Sequence, residues 1–556
     1  MKNGKSLLAL LLAVAMVAAT FAGCANNNAP TDPAPGENAP TQDDGVVDLL
    51  LGDSITADGA EIGTDPTAPV YLSNDIIYYE DRETYDSGNP YGEGMAEERH
   101  TAEAAAANTV VNITAAGTYR LQGTLPLGQV RVDLGEEAFE DSAAVVTLIL
   151  DGVDITCDVA PAILFLNVYE CDNAWSTETA SFQVDTAAAG ANVIIADGSE
   201  NHISGSHVAR IYKDTGEEKK LWKQDAAFYS YMSMNVDGQT EGSGVLNITA
   251  DNEGLDTELH LSINGGNINI RAGNDGINTN EDGVSVTAIN GGNLHIIAGL
   301  GEEGDGIDSN GWLVINGGTV VASANPAADA GMDSDMGSYV NGGTVVALGS
   351  TMDWAESDSE QVTMNLQFAQ YEASDSAIVI TDEEGSVVFA YDPSEDEVVA
   401  ENIRQYMGAI ISSPNLELGK TYQVYIGGTV NGTEEAGVYD VSTVTGFVDA
   451  VQQQYTGTDV RRGPGGMMGG RPEGGRGQRP EGEMPEGMTP PEGFEKGERP
   501  EMPEGMIPPE GFEKGERPEM PEGGFVNDGT ISEVKPSTLF PMQDKVNNFS
   551  GVTTAA

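Results

Sequence analysis

The sequence predicts an all-β fold, a parallel β-helix of stacked coils, and three observations carry that prediction. The tripeptide Asn-Gly-Gly begins at Asn264, Asn290, Asn316 and Asn341, at intervals of 26, 26 and 25 residues. A second phrase recurs between these copies: Gly254-Leu255-Asp256-Thr257-Glu258, Gly276-Ile277-Asn278-Thr279-Asn280, Gly306-Ile307-Asp308-Ser309-Asn310 and Gly331-Met332-Asp333-Ser334-Asp335. The composition suits short strands and tight turns, with 70 glycines in 556 residues and 6% aromatics. A fixed period of about 25 residues marks a solenoid whose coils bury their apolar face only by stacking. Leucine-rich repeats share the period, but their Leu frame is absent. Calcium-binding nonapeptide repeats share the Gly and Asp, but not the nine-residue spacing.

The elements follow in chain order. Residues 1–23 have the pattern of a secretory signal peptide: Lys2 and Lys5, an apolar run from Leu7 to Phe21, then Ala22-Gly23. The run is short for a membrane span of about 20 residues. Cys24 follows the small pair as in a bacterial lipobox and is the expected lipidation site. Residues 24–50 are Asn-, Pro- and Ala-rich and are expected to form a flexible tether. Residues 51–108 carry no decisive pattern. Residues 109–355 hold the coils, with a weaker copy of the phrase at Asp225–Ser230 and a charged, aperiodic stretch from His207 to Lys223 expected to loop out. Residues 356–455 contain strand-like runs such as IVITDEEGSVVFAYDP and are expected to form a small C-terminal β-domain. Residues 456–525 are rich in Pro, Gly and Glu, and within them Met488–Gly505 repeats as Met506–Gly523 with one substitution. A faithful repeat without apolar periodicity predicts disorder. Residues 526–556 regain Val, Phe and Thr and are expected to supply a last strand that helps cap the open edge of the coils. Cys157 and Cys171 fit either a disulfide or two buried thiols.

The charge is −64, from 89 Asp and Glu against 25 Lys and Arg. That excludes a nucleic-acid partner, which needs clustered basic residues. Strand alternation assigns faces to the phrase. Leu255, Ile277, Ile307 and Met332 point inward, with Thr257, Thr279, Ser309 and Ser334 on the same side. The Asp/Asn position and the final position then point outward as two columns. A third acid precedes the Gly in three copies, as Glu253, Asp275 and Asp305, with Ala330 in the fourth. Like charges stacked about 4.8 Å apart repel by about 1 kcal/mol even in bulk water. Interspersed amides or bound cations relieve that repulsion. Oxygen donors without clustered His or Cys favour Ca2+. The expected metal ligands are Glu253, Asp256, Glu258, Asp275, Asn278, Asp305, Asp308, Asn310, Asp333 and Asp335. The competing reading is a solvated acidic face.

These phrases, with AAGTYRLQGTL, LILDGVDIT, IIADGSENHISGS, INGGNINI, GDGIDSNG, INGGTVVA and ISSPNLELGKTYQVYIGG, resemble one family over residues 109–450. It is the family of calcium-dependent carbohydrate-binding β-helix lipoproteins of clostridia and their relatives. The resemblance implies a right-handed, pectate-lyase-like β-helix that binds Ca2+ and plant cell-wall polysaccharides of the cellulose or pectin type, without catalysis. It also implies a protein anchored by lipid alone to the outer face of the bacterial membrane.

Two other functions compete with a binding module. A polysaccharide lyase on such a scaffold needs a basic residue to abstract a proton, and between residues 224 and 353 only Arg271 is Lys or Arg. A glycoside hydrolase would use paired carboxylates, which are too abundant here to be specific. A surface adhesin or structural rod is the third reading. For a sugar binder, Trp312 and Trp354 are the candidate aromatic platforms, with packing or capping as the competing role for each.

Overall fold

The computed structural model describes residues 45–77, 100–172, 176–208, 224–301, 303–350, 353–373, 376–393, 405–461 and 536–556. The expected signal peptide, Cys24, residues 209–223 of the charged stretch and the Met488–Gly523 repeat lie outside the described residues. The described chain is almost wholly β, with one short α-helix at Ala102–Ala106, whose first turn is capped by Thr101, and one 3-10 turn at Glu136–Glu140.

Its core is three parallel ladders, and each repeat of the sequence contributes one strand to each ladder. The first ladder holds the recurring phrase: Ala226–Ser230, Glu253–Thr257, Ile277–Thr279 and Ile307–Ser309 stack in order. Leu255 sits over Ile277 and Ile277 over Ile307, while Asp256, Asn278 and Asp308 form the adjacent row. The weak copy joins in register, with Phe228 against Leu255 and Tyr229 against Asp256. The fourth copy continues the stack through the Ser309 N–H to the Asp333 carbonyl (3.2 Å) and the Asp333 N–H to the Ile307 carbonyl (2.8 Å).

The second ladder includes Met234–Gly238, Leu261–Ile263, Val286–Ile289, Trp312–Ile315 and Gly337–Val340. The third includes Val245–Ala250, Asn267–Ala272, Asn293–Ile297, Thr319–Ser323 and Thr344–Gly349. The Asn-Gly-Gly tripeptide makes the corner between these two ladders. Its second glycine adopts positive φ in every copy, +92° at Gly266, +86° at Gly292, +81° at Gly318 and +82° at Gly343, a region costly for residues with a Cβ. Leu255, Ile277, Ile307 and Met332 are fully buried between the ladders, each contributing about 1.5–3 kcal/mol of apolar burial.

Two boundaries differ from expectation. Val46–Leu51, inside the segment expected as tether, is a strand paired in parallel with Gly117–Leu125. Gly457–Arg461, inside the segment expected to be disordered, pairs antiparallel with Val546–Thr554. Val46–Leu51 reads VVDLLL and buries Leu49 and Leu51, and both strands gain backbone hydrogen bonds from a sheet edge.

Parallel stacking stops at Thr344–Gly349, which pairs antiparallel with Tyr406–Ser412. That strand pairs in turn with Thr363–Glu372, and Thr363–Glu372 with the last strand, Val546–Thr554. A second apolar core joins Val346 and Leu348 of the last coil to Met364, Leu366, Ile411, Phe540 and Phe549. Residues from the two ends of the C-terminal region therefore close one edge of the ladders together. Cys157 is buried and Cys171 half-buried, and both are free thiols. Burial pushes them up to about 11 and about 12.

Candidate functional site

The acidic positions of the phrase gather on the first ladder because the repeat places them in register there. Their exposure differs from the expected outward columns. Asp256 is 0% exposed and Glu253 4%, and Asp275, Asn278 and Asn280 are buried as well. Glu258, Asp305, Asp308, Asn310 and Asp333 are half-buried, and only Asp335 is exposed. Alternation puts the Asp/Asn position and the final position of the phrase on one side of the strand. What it does not give is the cover: the neighbouring polar side chains pack over one another. Asn280 donates through Nδ2 to Asp256 Oδ1, Tyr229 donates its hydroxyl to Glu258, and Asn278 Nδ2 donates to Glu253 Oε1 at 3.2 Å. The expected outward columns are thus partly buried.

Burial without enough donors has an electrostatic consequence. Asp275 is held well above the usual carboxylate range by burial, then by the charges of Glu253, Asp308 and Asp305; the Asp305 N–H, 2.6 Å from Asp275 Oδ1, opposes them. Asp305 is pushed up to about 8 by burial; the Ala330 N–H opposes this, and Asp333, Asp308 and Asp329 add to it. Glu253 Oε2 and Asn278 Oδ1 are buried oxygens that accept no hydrogen bond. Such acceptors are costly unless a donor or cation meets them. Glu253, Asp275, Asp305, Asp308 and Asp333 therefore act on one another as a group. Among the described residues, no three His, Cys, Asp or Glu side chains converge closely enough to hold an ion by themselves. Amide and backbone oxygens would have to complete any coordination shell.

Asp329 and Tyr229 belong to this region but were not singled out by sequence. Asp329 accepts the Gly304 N–H at 2.9 Å and lies outside the phrase. Tyr229 occupies the Asp position of the weak copy, and that alignment is the signal that finds it.

The two tryptophans lie elsewhere. Trp312 opens a second-ladder strand and is 8% exposed, packed with Val286 and Val314 against Ala180, Phe182, Val184 and Tyr339. It is a core residue and no platform for a sugar ring. The segment that covers it carries alternating apolar residues at 180, 182 and 184, a strand-like signal. Trp312→Phe should therefore cost about 1 kcal/mol of stability in urea unfolding and leave glycan affinity within about twofold. Trp354 is half-buried, next to the bridge between Ser338 and Ala355 at the end of the second ladder. Arg271 ends a third-ladder strand, in register with Thr249 and Ile297, on a different ladder from the acidic phrase.

Residues 107–402 match the family described as carbohydrate-binding domain-containing protein. A carbohydrate-binding domain-containing protein of Acetivibrio thermocellus is 31% identical over 162 residues, which are 29% of this chain and 44% of the relative. The alignment thus spans less than half of that relative's length. A solved structure of a polysaccharide lyase-like protein from C. thermocellum, a gadolinium derivative, is 21% identical, with 53% of this chain and 92% of that one covered and a TM-score of 0.30. That likeness is too weak to carry an argument. The family match spans just over half of the 556 residues and takes in the three ladders and the buried carboxylates. The chain belongs to the family of carbohydrate-binding domain-containing proteins.

Proposed function

We propose that this protein is a calcium-dependent binder of plant cell-wall polysaccharide, of the cellulose or pectin type. It acts without catalysis on a right-handed parallel β-helix, held at the outer face of the bacterial membrane by a lipid on Cys24. The observation that carries the calcium reading is the set of buried carboxylates on the first ladder, with Glu253 Oε2 and Asn278 Oδ1 lacking any donor. A hard divalent cation takes oxygen ligands of this kind. Neighbouring pairs drawn from Glu253, Asp275, Asp305, Asp308 and Asp333, completed by Asn278 Oδ1 and backbone oxygens, would hold such ions, which would supply the positive charge that lets these groups ionise together. Glycan binding is supported by the family, and the lipid anchor by the sequence pattern ending at Cys24.

The chain's own part is to stack the acids in register and keep water from them. Arg271, the one Lys or Arg between residues 224 and 353, sits on another ladder, so no observation favours a lyase. Pull-down on insoluble cellulose and on pectin, with calcium and after its removal, tests the reading. Retention in calcium and release without it is the expected result. Retention indifferent to calcium, or ultraviolet-absorbing unsaturated products from polygalacturonate, would refute it.

A further inference from the structure

A groove of about 590 Å³ runs along the corner between the second and third ladders. Its floor is a ladder of asparagine side chains and one wall is the segment from Phe182 to Ala187. We propose that this groove is the glycan site and takes one strand of a neutral, hydroxyl-rich linear polysaccharide; this rests on the carbohydrate-binding reading above and adds its place and ligand class.

The floor repeats with the coils. Asn290 Nδ2 donates to Asn264 Oδ1 at 2.9 Å, Asn316 Nδ2 to Asn290 Oδ1 at 2.8 Å, and Asn341 Nδ2 to Asn316 Oδ1 at 2.9 Å. Asn264 hydrogen-bonds to the carboxylate of Asp237, which begins the row. A primary amide has two N–H groups and two acceptor lone pairs. The ladder uses one of each at Asn264, Asn290 and Asn316, and all three are exposed. One donor and one acceptor therefore recur at each coil, about 4.8 Å apart. A linear polymer that presents hydroxyl groups at regular intervals is the ligand that can use such a row repeatedly.

The wall is fixed before any ligand arrives. Thr186 is buried; its hydroxyl donates to Asn235 Oδ1 (2.8 Å) and can accept from the Ser262 hydroxyl (2.7 Å), and Asn235 Nδ2 returns a bond to the Thr186 carbonyl at 2.8 Å. Phe182 stacks on Tyr339 with centroids 4.5 Å apart and planes 15° from parallel. A rigid groove loses less entropy on binding than a mobile one. Charge sets the class of glycan: the lining includes Asp185 and Asp237 and no Lys, Arg or His. A uronate would meet like charge there, whereas a neutral sugar would not.

Native affinity electrophoresis in calcium, through gels holding hydroxyethylcellulose or polygalacturonate, tests the assignment. Wild-type protein should be retarded by hydroxyethylcellulose. Ala187→Trp fills the groove without removing any hydrogen bond and should weaken retention by about tenfold or more at an unchanged melting temperature. The double variant Asn290→Ala/Asn316→Ala should weaken it similarly. Should that double variant melt early, Ala187→Trp alone decides. Undiminished binding by Ala187→Trp, or wild-type retention by polygalacturonate only, overturns the groove. Wild-type protein that binds neither glycan defeats the carbohydrate-binding reading itself, an outcome distinct from loss of the groove alone.

Discussion

Removing calcium near pH 8 should lower the melting temperature by on the order of 5 °C, and near pH 5 by much less. The sign follows from the first-ladder carboxylates. Asp305 sits at about 8 in the folded protein against 3.8 when exposed, and burial holds Asp275 well above the usual carboxylate range as well. Between these values the native state holds protons that the unfolded chain has released. Stability of the calcium-stripped protein must then fall as pH rises from about 4 to about 8. For shifts of this size the loss is on the order of a few kcal/mol. Bound calcium would take the place of those protons, so its stabilisation should grow over the same window. Asp275→Asn gives the matching cross-over: it should raise the melting temperature of stripped protein near pH 8 and lower the calcium affinity of loaded protein. Melts of both proteins across pH, with calcium and without, measure it. Stripped protein that gains stability as pH rises would contradict the account.

Gly276→Ala should destabilise the protein by about 3 kcal/mol. A Cβ on Gly276 would lie 2.1 Å from Ile296 Cγ2 and 2.6 Å from the Gly306 carbonyl oxygen. Neither can withdraw, because Ile296 is fully buried and the carbonyl belongs to the next coil. Gly254 meets Ile270 and the Gly276 carbonyl in the same way, and Gly306 meets Ala322 and the Gly331 carbonyl. The glycine that opens each phrase is thus required by close approach between the first and third ladders, not by positive φ. Gly63→Ala is the control, since a Cβ there meets nothing within 4 Å, and it should leave the urea midpoint nearly unchanged.

The repeat made much of this fold legible. Spacing alone aligned Leu255 with Ile277 and Ile307, and it placed the weak copy at Phe228, all of which pair in register. The Asn-Gly-Gly corners rest on the conformational freedom of glycine, with the second glycine at positive φ in each repeat. The burial of Asp256 and Glu253 did not follow, because alternation names a side of a strand and not what covers it. Asn280 and Tyr229 cover that side, and they do so from other coils. What covers Trp312 is hidden for the same reason: the segment carrying Phe182 is distant in sequence and lies across it. The groove was illegible too. Its floor was visible as four turn asparagines, but its wall comes from a segment outside the repeat.

The most direct test of the central claim is a glycan array read with full-length protein in calcium and again after calcium removal. The account predicts binding to neutral cell-wall polysaccharides in calcium that is lost when calcium is withdrawn. An array with no glycan bound in either condition, or with the same glycans bound equally in both, would contradict it.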